Sequence, residues 1–343
     1  MAEDSNDDLA EGIYSLQAGS VVAAAGCGKT EQIVKATAHG EGRRLVLTHT
    51  HAGIDALRRR MNDHAVSSKR YAIDTIAGWC LRYAASYPIR SGLTISEPRG
   101  EQDWTEVYKA AHRLLASGAI TRVLRASYCG VFVDEYQDCS GLQHQVVAAL
   151  AEVLPVCVFG DPMQAIFDFN GQASVDWNTE VFPHFPLVVM LTKPHRWHKH
   201  KNIDMANWLE RVRPALETGQ PIDFGQTPPC VTWEWLPDQD GPRQNKIVAT
   251  CLSAMALDGD LVVIGDPTNL NGRALIAKKL AKQGFSNIEP IDCKNLYSTA
   301  KKLKFRSGLK RFEATLDFIG QCMSGIERAG FIAAVASRSA GRQ

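Results

Sequence analysis

The chain has 343 residues, enough for two domains at roughly 150 residues each, and its 38 Lys plus Arg against 37 Asp plus Glu exclude a histone-like polycation while allowing a local basic groove. Hydrophobic residues at 45% exclude a disordered chain, and no apolar run approaches the ~18 residues of a membrane span. The acidic N-terminus is the opposite of a signal peptide, and nine cysteines without a C-x-x-C pair indicate neither a disulfide framework nor a zinc site, so a reducing cytoplasm is expected.

Ala18–Ala25 reads as a buried strand entering a Gly pair, and Thr30–His39 as a helix ended by Gly40 and Gly42. Arg44–Thr48 is a second strand and Ala52–Asn62 a second helix. Arg70–Ser86 is a short strand running into a helix that Pro88 stops, and Ser91–Glu101 is a loop. A helix follows at Trp104–Ala116, then strands at Gly130–Asp134 and Val156–Phe159 around the helix Gln143–Leu154, then a strand at Pro186–Leu191. Strands alternating with helices imply a parallel sheet covered on both faces. Beyond it lie a helix at Asn202–Leu216 and a second α/β unit, strand Leu261–Ile264 with helix Arg273–Gln283. Lys294 to Arg311 holds seven basic residues and no acidic one.

The strongest local signal is AAAGCGKT at 23–30, between a strand and a helix. That context suits a phosphate-binding loop. Gly26 and Gly28 let backbone N–H groups face phosphate oxygens, Lys29 can reach the β- and γ-phosphates, and the Thr30 hydroxyl can ligate Mg²⁺. Ala23 departs from the strict pattern, which has Gly there. Asp134-Glu135 ends a buried strand, where Asp134 suits Mg²⁺ and Glu135 the polarisation of water. Gln164 can report a γ-phosphate, and Arg196 can act as a cationic finger. His195, His198 and His200 lack a further nearby ligand and read as a solvated helix start rather than a metal site. Trp79, Phe167, Phe169 and Trp197 are open to base stacking, with core packing the alternative for each.

Six stretches, in order, resemble the UvrD/Rep-like superfamily 1 DNA helicases. AAAGCGKT (23–30) is similar to the family's Walker A element, LVLTHTHAGIDALRRRM (45–61) and AIDTIAGWCLRYA (72–84) to its strand-contact motifs. VFVDEYQD (131–138) resembles its Walker B element, VFGDPMQAIFDF (158–169) the motif with the γ-phosphate sensor, and LTKPHRW (191–197) the motif with the first arginine finger. The DEYQD and GDPxQ-I-F segments are the specific ones. Several positions depart from the family: Leu9 and Glu11 stand where a Gln reads adenine, His195 replaces a stacking aromatic, Asn170 an Arg, and His51-Ala52 an Asn-Lys pair.

The resemblance implies an α/β P-loop NTPase with tandem RecA-like domains, ATP and Mg²⁺ as cofactors, and single-stranded DNA as partner, tracked 3′ to 5′. It assigns Glu135, Gln164 and Arg196 to catalysis, and Ala25, Gly26, Cys27, Gly28, Lys29, Thr30 and His195 to the nucleotide. Thr30 and Asp134 would hold the metal, and Thr48, His49, Thr75 and Phe169 would contact DNA. The expected domains are 1–192, with a small helical insertion at about 88–125, a partial second RecA-like domain at 193–293, and a basic helical segment at 294–343 that starts an inserted subdomain. The family's Gly-rich coupling segment and second arginine finger are not found in 200–343, so the chain is expected to stop inside that insertion. The alternative is an ATP- and DNA-binding regulatory or defence-system partner of a nuclease, without unwinding activity. A kinase or GTPase is the weakest reading, because no Asn-Lys-x-Asp element occurs.

Overall fold

The computed structural model describes residues 6–165, 174–257, 259–266, 269–286, 300–301, 303–322 and 330–332. The chain divides into two compact units, Met1–Trp233 and Glu234–Gln343. Segment 193–233 therefore clusters with the first unit, although the sequence reading began a second domain at 193.

The first unit opens with α1 (Asn6–Ser15), β1 (Ala18–Ala23), α2 (Lys29–His39), β2 (Arg44–Thr48) and α3 (His51–Asp63). It continues with β3 (Tyr71–Thr75), α4 (Ile76–Ser86), α5 (Glu101–Ala116), α6 (Thr121–Ser127), β4 (Gly130–Val133), α7 (Gly141–Ala151) and β5 (Val156–Gly160). It closes with β6 (Leu187–Leu191), α8 (His195–Lys199) and α9 (Ile203–Glu217). The strands form one parallel sheet in the order β3-β2-β4-β5-β1-β6. α4 ends at Ser86, before Pro88 as expected, and Pro88 then opens a separate helical turn, Pro88–Ser91; α6 was not placed as a helix of its own from the sequence. Proline is tolerated in a first turn, where its missing N–H is no loss.

Both faces of the sheet are apolar, as crossover helices on both sides require. Leu45, Leu47, Val131, Val133, Val156 and Val158 pack toward α4, α5 and α7, with Trp79 in their midst. The alternate residues Val21, Val46, Phe132, Cys157 and Phe159 pack toward α1, α2 and α3. This period of two assigns each strand residue to one core or the other. Trp79 is wholly buried, so it serves the core and is not a base-stacking surface. Arg44 is an unusual core member, its guanidinium 4.5 Å from the Tyr14 ring centroid and 4.4 Å from that of Phe132, with Nη2 donating to the Tyr14 carbonyl at 3.0 Å.

Register brings the strand ends to one level. Leu47 pairs with Val133, Val133 with Val158, and Val22 with Gly160 and Met190. The segments after β1, β2, β4, β5 and β6 therefore emerge along one edge, the usual place for ligands in parallel α/β sheets.

The described residues of the second unit contain α10 (Asp240–Ala254), α11 (Leu270–Leu280) and α12 (Gly308–Cys322). α10 packs against α11, and Lys279 Nζ donates to Gln244 Oε1 at 3.2 Å. The expected helix is present as α11, but Leu261–Ile264 is not a strand, and Val262 and Ile264 are 73% and 93% exposed. An apolar run becomes a strand only with a partner to receive its backbone hydrogen bonds, and none is present among the described residues. Phe167, Phe169, Asn170 and the 294–299 part of the basic stretch lie outside the described residues. No helix among the described residues is long and apolar enough to cross a membrane.

Candidate active site

The loop between β1 and α2 turns on two glycines with positive φ, Gly26 at 82° and Gly28 at 95°. A Cβ at Gly26 would lie 2.9 Å from Arg196 Cβ, so the loop needs glycine there for space as well as for conformation. The Arg196 N–H in turn donates to the Gly26 carbonyl at 3.1 Å, binding the start of α8 to the loop.

After β4 the chain makes an abrupt turn. Glu135 sits in the left-handed region, φ 53° and ψ 45°, a conformation costing a residue with a Cβ about 1–2 kcal/mol. Tyr136 anchors the turn from below: it is wholly buried, its hydroxyl is 2.8 Å from His144 Nδ1, and its ring packs edge-on against Trp177 and Phe185. The Glu135 carboxylate is thereby held against the phosphate-loop lysine, with Lys29 Nζ 2.5 Å from Oε2. Gln137 Nε2 donates to the same oxygen at 2.9 Å. Burial alone would raise the Glu135 pKa, but the Lys29 charge and these hydrogen bonds hold it below the ordinary value. Asp134 beside it is buried, and burial together with the Glu135 charge pushes it up to about 7.

β5 supplies the third element. Asp161 is 1% exposed and forms a two-bond ion pair with Arg213 of α9, Oδ1 to Nη2 at 2.7 Å and Oδ2 to Nη1 at 3.1 Å. Gln164 Nε2 donates to Asp161 Oδ2 at 2.7 Å. Burial pushes the Asp161 pKa up, but the hydrogen bonds and charge of these partners outweigh it and hold the carboxyl low. A carboxyl held low contributes stability above its unfolded pKa of about 4 and loses it as pH falls through the folded value. Asp161→Asn should therefore cost about 2 kcal/mol near neutrality, with the gap to the parent closing in acid. Urea unfolding at a series of pH values measures this; a gap that persists at the acid end would contradict it.

These elements enclose a cavity of about 560 Å³, lined by Ala24, Ala25, Gly26, Gly28, Lys29, Thr30, Glu135, Gln164, His195 and Arg196, among others. The sequence reading assigned all ten except Ala24 to nucleotide binding or catalysis. Gln32, Lys35, Arg60, Lys199 and His200 also line it and were not assigned. Arg60, at the end of the stretch 45–61 that resembles a strand-contact motif, stands in this wall, its Nη1 3.7 Å from Glu31 Oε2. Its position on α3 gave no hint, since reach across to α2 depends on helix packing. Burial and the cations Lys193 and Lys35 hold the His195 pKa low.

Four assigned residues stand otherwise. Cys27 faces away from this cavity: its thiol donates to the Thr192 carbonyl at 3.4 Å and its N–H to the Ala24 carbonyl at 3.0 Å. Thr48 is 2% exposed. Thr75 is 6% exposed and spends its hydroxyl capping α4, accepting from the Gly78 N–H at 2.9 Å. His49 is half-buried with Nε2 3.6 Å from Cys139 Sγ, and burial pushes its pKa down to about 4. The two threonines are thus largely buried, and the Thr75 hydroxyl is engaged within the fold. They shape the loops that follow β2 and β3. No group of three or more His, Cys, Asp or Glu suited to a metal occurs among the described residues, the His195–His200 cluster included.

The lining suits a nucleoside triphosphate. Lys29, Lys35, Arg60, Arg196 and Lys199 supply positive charge and the glycine turns open the backbone. Thr30 lines the cavity and Asp134 precedes the lining residue Glu135; both carry oxygen donors of the kind Mg²⁺ takes.

Residues 93–177 match the UvrD/REP helicase N-terminal domain family. That segment includes the Asp134-Glu135 turn and the Asp161–Gln164 loop. Among solved structures, the arterivirus nonstructural protein 10 helicase in complex with DNA is similar over 54% of this chain and 38% of its own, at 14% identity and a TM-score of 0.30. The chain thus spans well under half of that helicase. No curated protein matches the chain.

Proposed function

We propose, from the match of residues 93–177 to the UvrD/REP helicase N-terminal domain family, that this protein binds ATP with Mg²⁺ and hydrolyses it to move along single-stranded DNA, 3′ to 5′ by resemblance. One observation carries the reading: Lys29, Thr30, Glu135, Gln164 and Arg196, drawn from four separate segments, line one cavity. Lys29 exchanges its ion pair with Glu135 for phosphate oxygens. Glu135, released, orients and deprotonates the attacking water. Gln164 contacts the γ-phosphate, and Arg196 neutralises charge that develops in the transition state. Thr30 and Asp134 would hold Mg²⁺, which supplies charge neutralisation on the phosphates when bound. Arg58 and Arg59, exposed on α3, are available for backbone contact with DNA.

The test is ATP turnover with and without single-stranded DNA over a range of salt. DNA should stimulate turnover, and its apparent affinity should fall steeply with salt because phosphate contacts release counterions. Turnover that ignores DNA at low salt would sink the translocase reading. A second reading, an ATP- and DNA-binding partner of a nuclease without unwinding activity, is favoured by one feature. The described residues of 234–343 form helices and no strand, so no second sheet there presents a further arginine. Strand displacement by the chain alone would rule against this second reading.

A further inference from the structure

α9 stands outside the nucleotide cavity and walls a neighbouring one of about 660 Å³. Only Ala206 and Val212 of α9 are buried, so apolar packing seats it weakly. Its main polar anchor is the fork of Arg213 on Asp161, continued on the solvent side by Arg213 Nε to Glu217 Oε1 at 2.7 Å. Asp161 is the junction. It accepts from Gln164 Nε2 on Oδ2, and its N–H donates to Gln137 Oε1 at 3.0 Å. Gln137 then reaches Glu135, and Glu135 reaches Lys29. An unbroken run of hydrogen bonds thus joins the phosphate loop to α9.

We propose that Arg213 is a positioning residue which, by orienting Asp161, sets the placement of the Gln164 amide and so couples γ-phosphate recognition to the seating of α9. The inference rests on the ATP reading above. The chemistry follows from competition for one carboxylate. With both Asp161 oxygens bound by the Arg213 fork, the carboxylate stays paired when Gln164 leaves Oδ2, so the amide can turn toward a phosphate. Without the fork, the buried carboxylate has Gln164 as its nearest side-chain donor and keeps it. Conversely, withdrawal of Gln164 leaves Asp161 to Arg213 and tightens the hold on α9. A lysine at 213 can restore the charge but not the two parallel bonds.

The experiment compares binding of ATPγS and ADP, each with Mg²⁺, to the parent, Arg213→Gln, Arg213→Lys, Gln164→Ala and the double variant Gln164→Ala/Arg213→Gln. Arg213→Gln should lower the preference for ATPγS over ADP about tenfold, leave ADP affinity near that of the parent, and lower kcat more than it raises KM. Arg213→Lys should recover part of the preference, and in the double variant the two losses should not add. If Arg213→Gln does not fold, as its circular dichroism would show, Arg213→Lys carries the same cycle with Gln164→Ala. Unchanged nucleotide preference in the folded Arg213 variants, or additive losses, would overturn the coupling. A parent that binds neither nucleotide would instead overturn the ATP reading, and the coupling with it.

Discussion

Lys29→Ala should weaken ATP–Mg²⁺ binding by about hundredfold or more while the protein stays folded. Under the proposed function Lys29 is the loop's own contact to the phosphates, and each charge-assisted contact to a phosphate oxygen is worth about 1.5–3 kcal/mol. Lys29 is only 8% exposed and paired with Glu135, so tolerance of its loss does not follow from surface exposure. Tolerance of the substitution therefore needs a different argument. Alanine suits position 29, the first residue of α2, and Gln137 still donates to the Glu135 carboxylate after the lysine is gone. Calorimetric titration with ATP–Mg²⁺, alongside thermal unfolding, measures both sides. A folded Lys29→Ala protein with parental affinity would remove the phosphate-loop assignment.

Glu135→Gln should separate binding from chemistry. The backbone turn that presents the side chain is set by Tyr136 beneath it and by the left-handed dihedrals, neither of which depends on the carboxylate charge. The amide is the same size but cannot take a proton from water, so turnover should fall by about 10²–10⁴. Affinity for ATP should hold or improve, because Lys29 loses its competing ion pair. Single-turnover hydrolysis with equilibrium binding is the decisive pair of measurements. Equal single-turnover rates for parent and variant would exclude Glu135 as the base.

Some of this was legible because it is local. The apolar runs of β1, β2, β4 and β5 alternate toward two cores, and the run GCGKT can only be read as a turn between strand and helix. The DEYQD stretch pointed to the acid pair, though not to why its tyrosine is there. Only the packed fold shows Tyr136 as a buried post under Glu135 and Gln137 as the amide that joins β4 to β5. Arg213 gave no sequence signal at all: 52 residues separate it from Asp161, and ion pairing at that distance depends on how α9 is docked.

The sequence by itself determined the six strands of the first unit, the glycine turn after β1 and the chemical type of each candidate side chain, since these follow from hydrophobic period, glycine conformation and functional group over a few residues. Tertiary structure alone decided which side chains meet and which are spent. It turned Thr75 into a helix cap, sent the Cys27 thiol to the Thr192 carbonyl, drew Arg60 into the cavity beside Lys29 and left Leu261–Ile264 unpaired. The physical reason is common to all four. Burial, hydrogen-bond partnership and strand pairing are properties of contacts between distant segments, and a residue's own type constrains them without selecting among them.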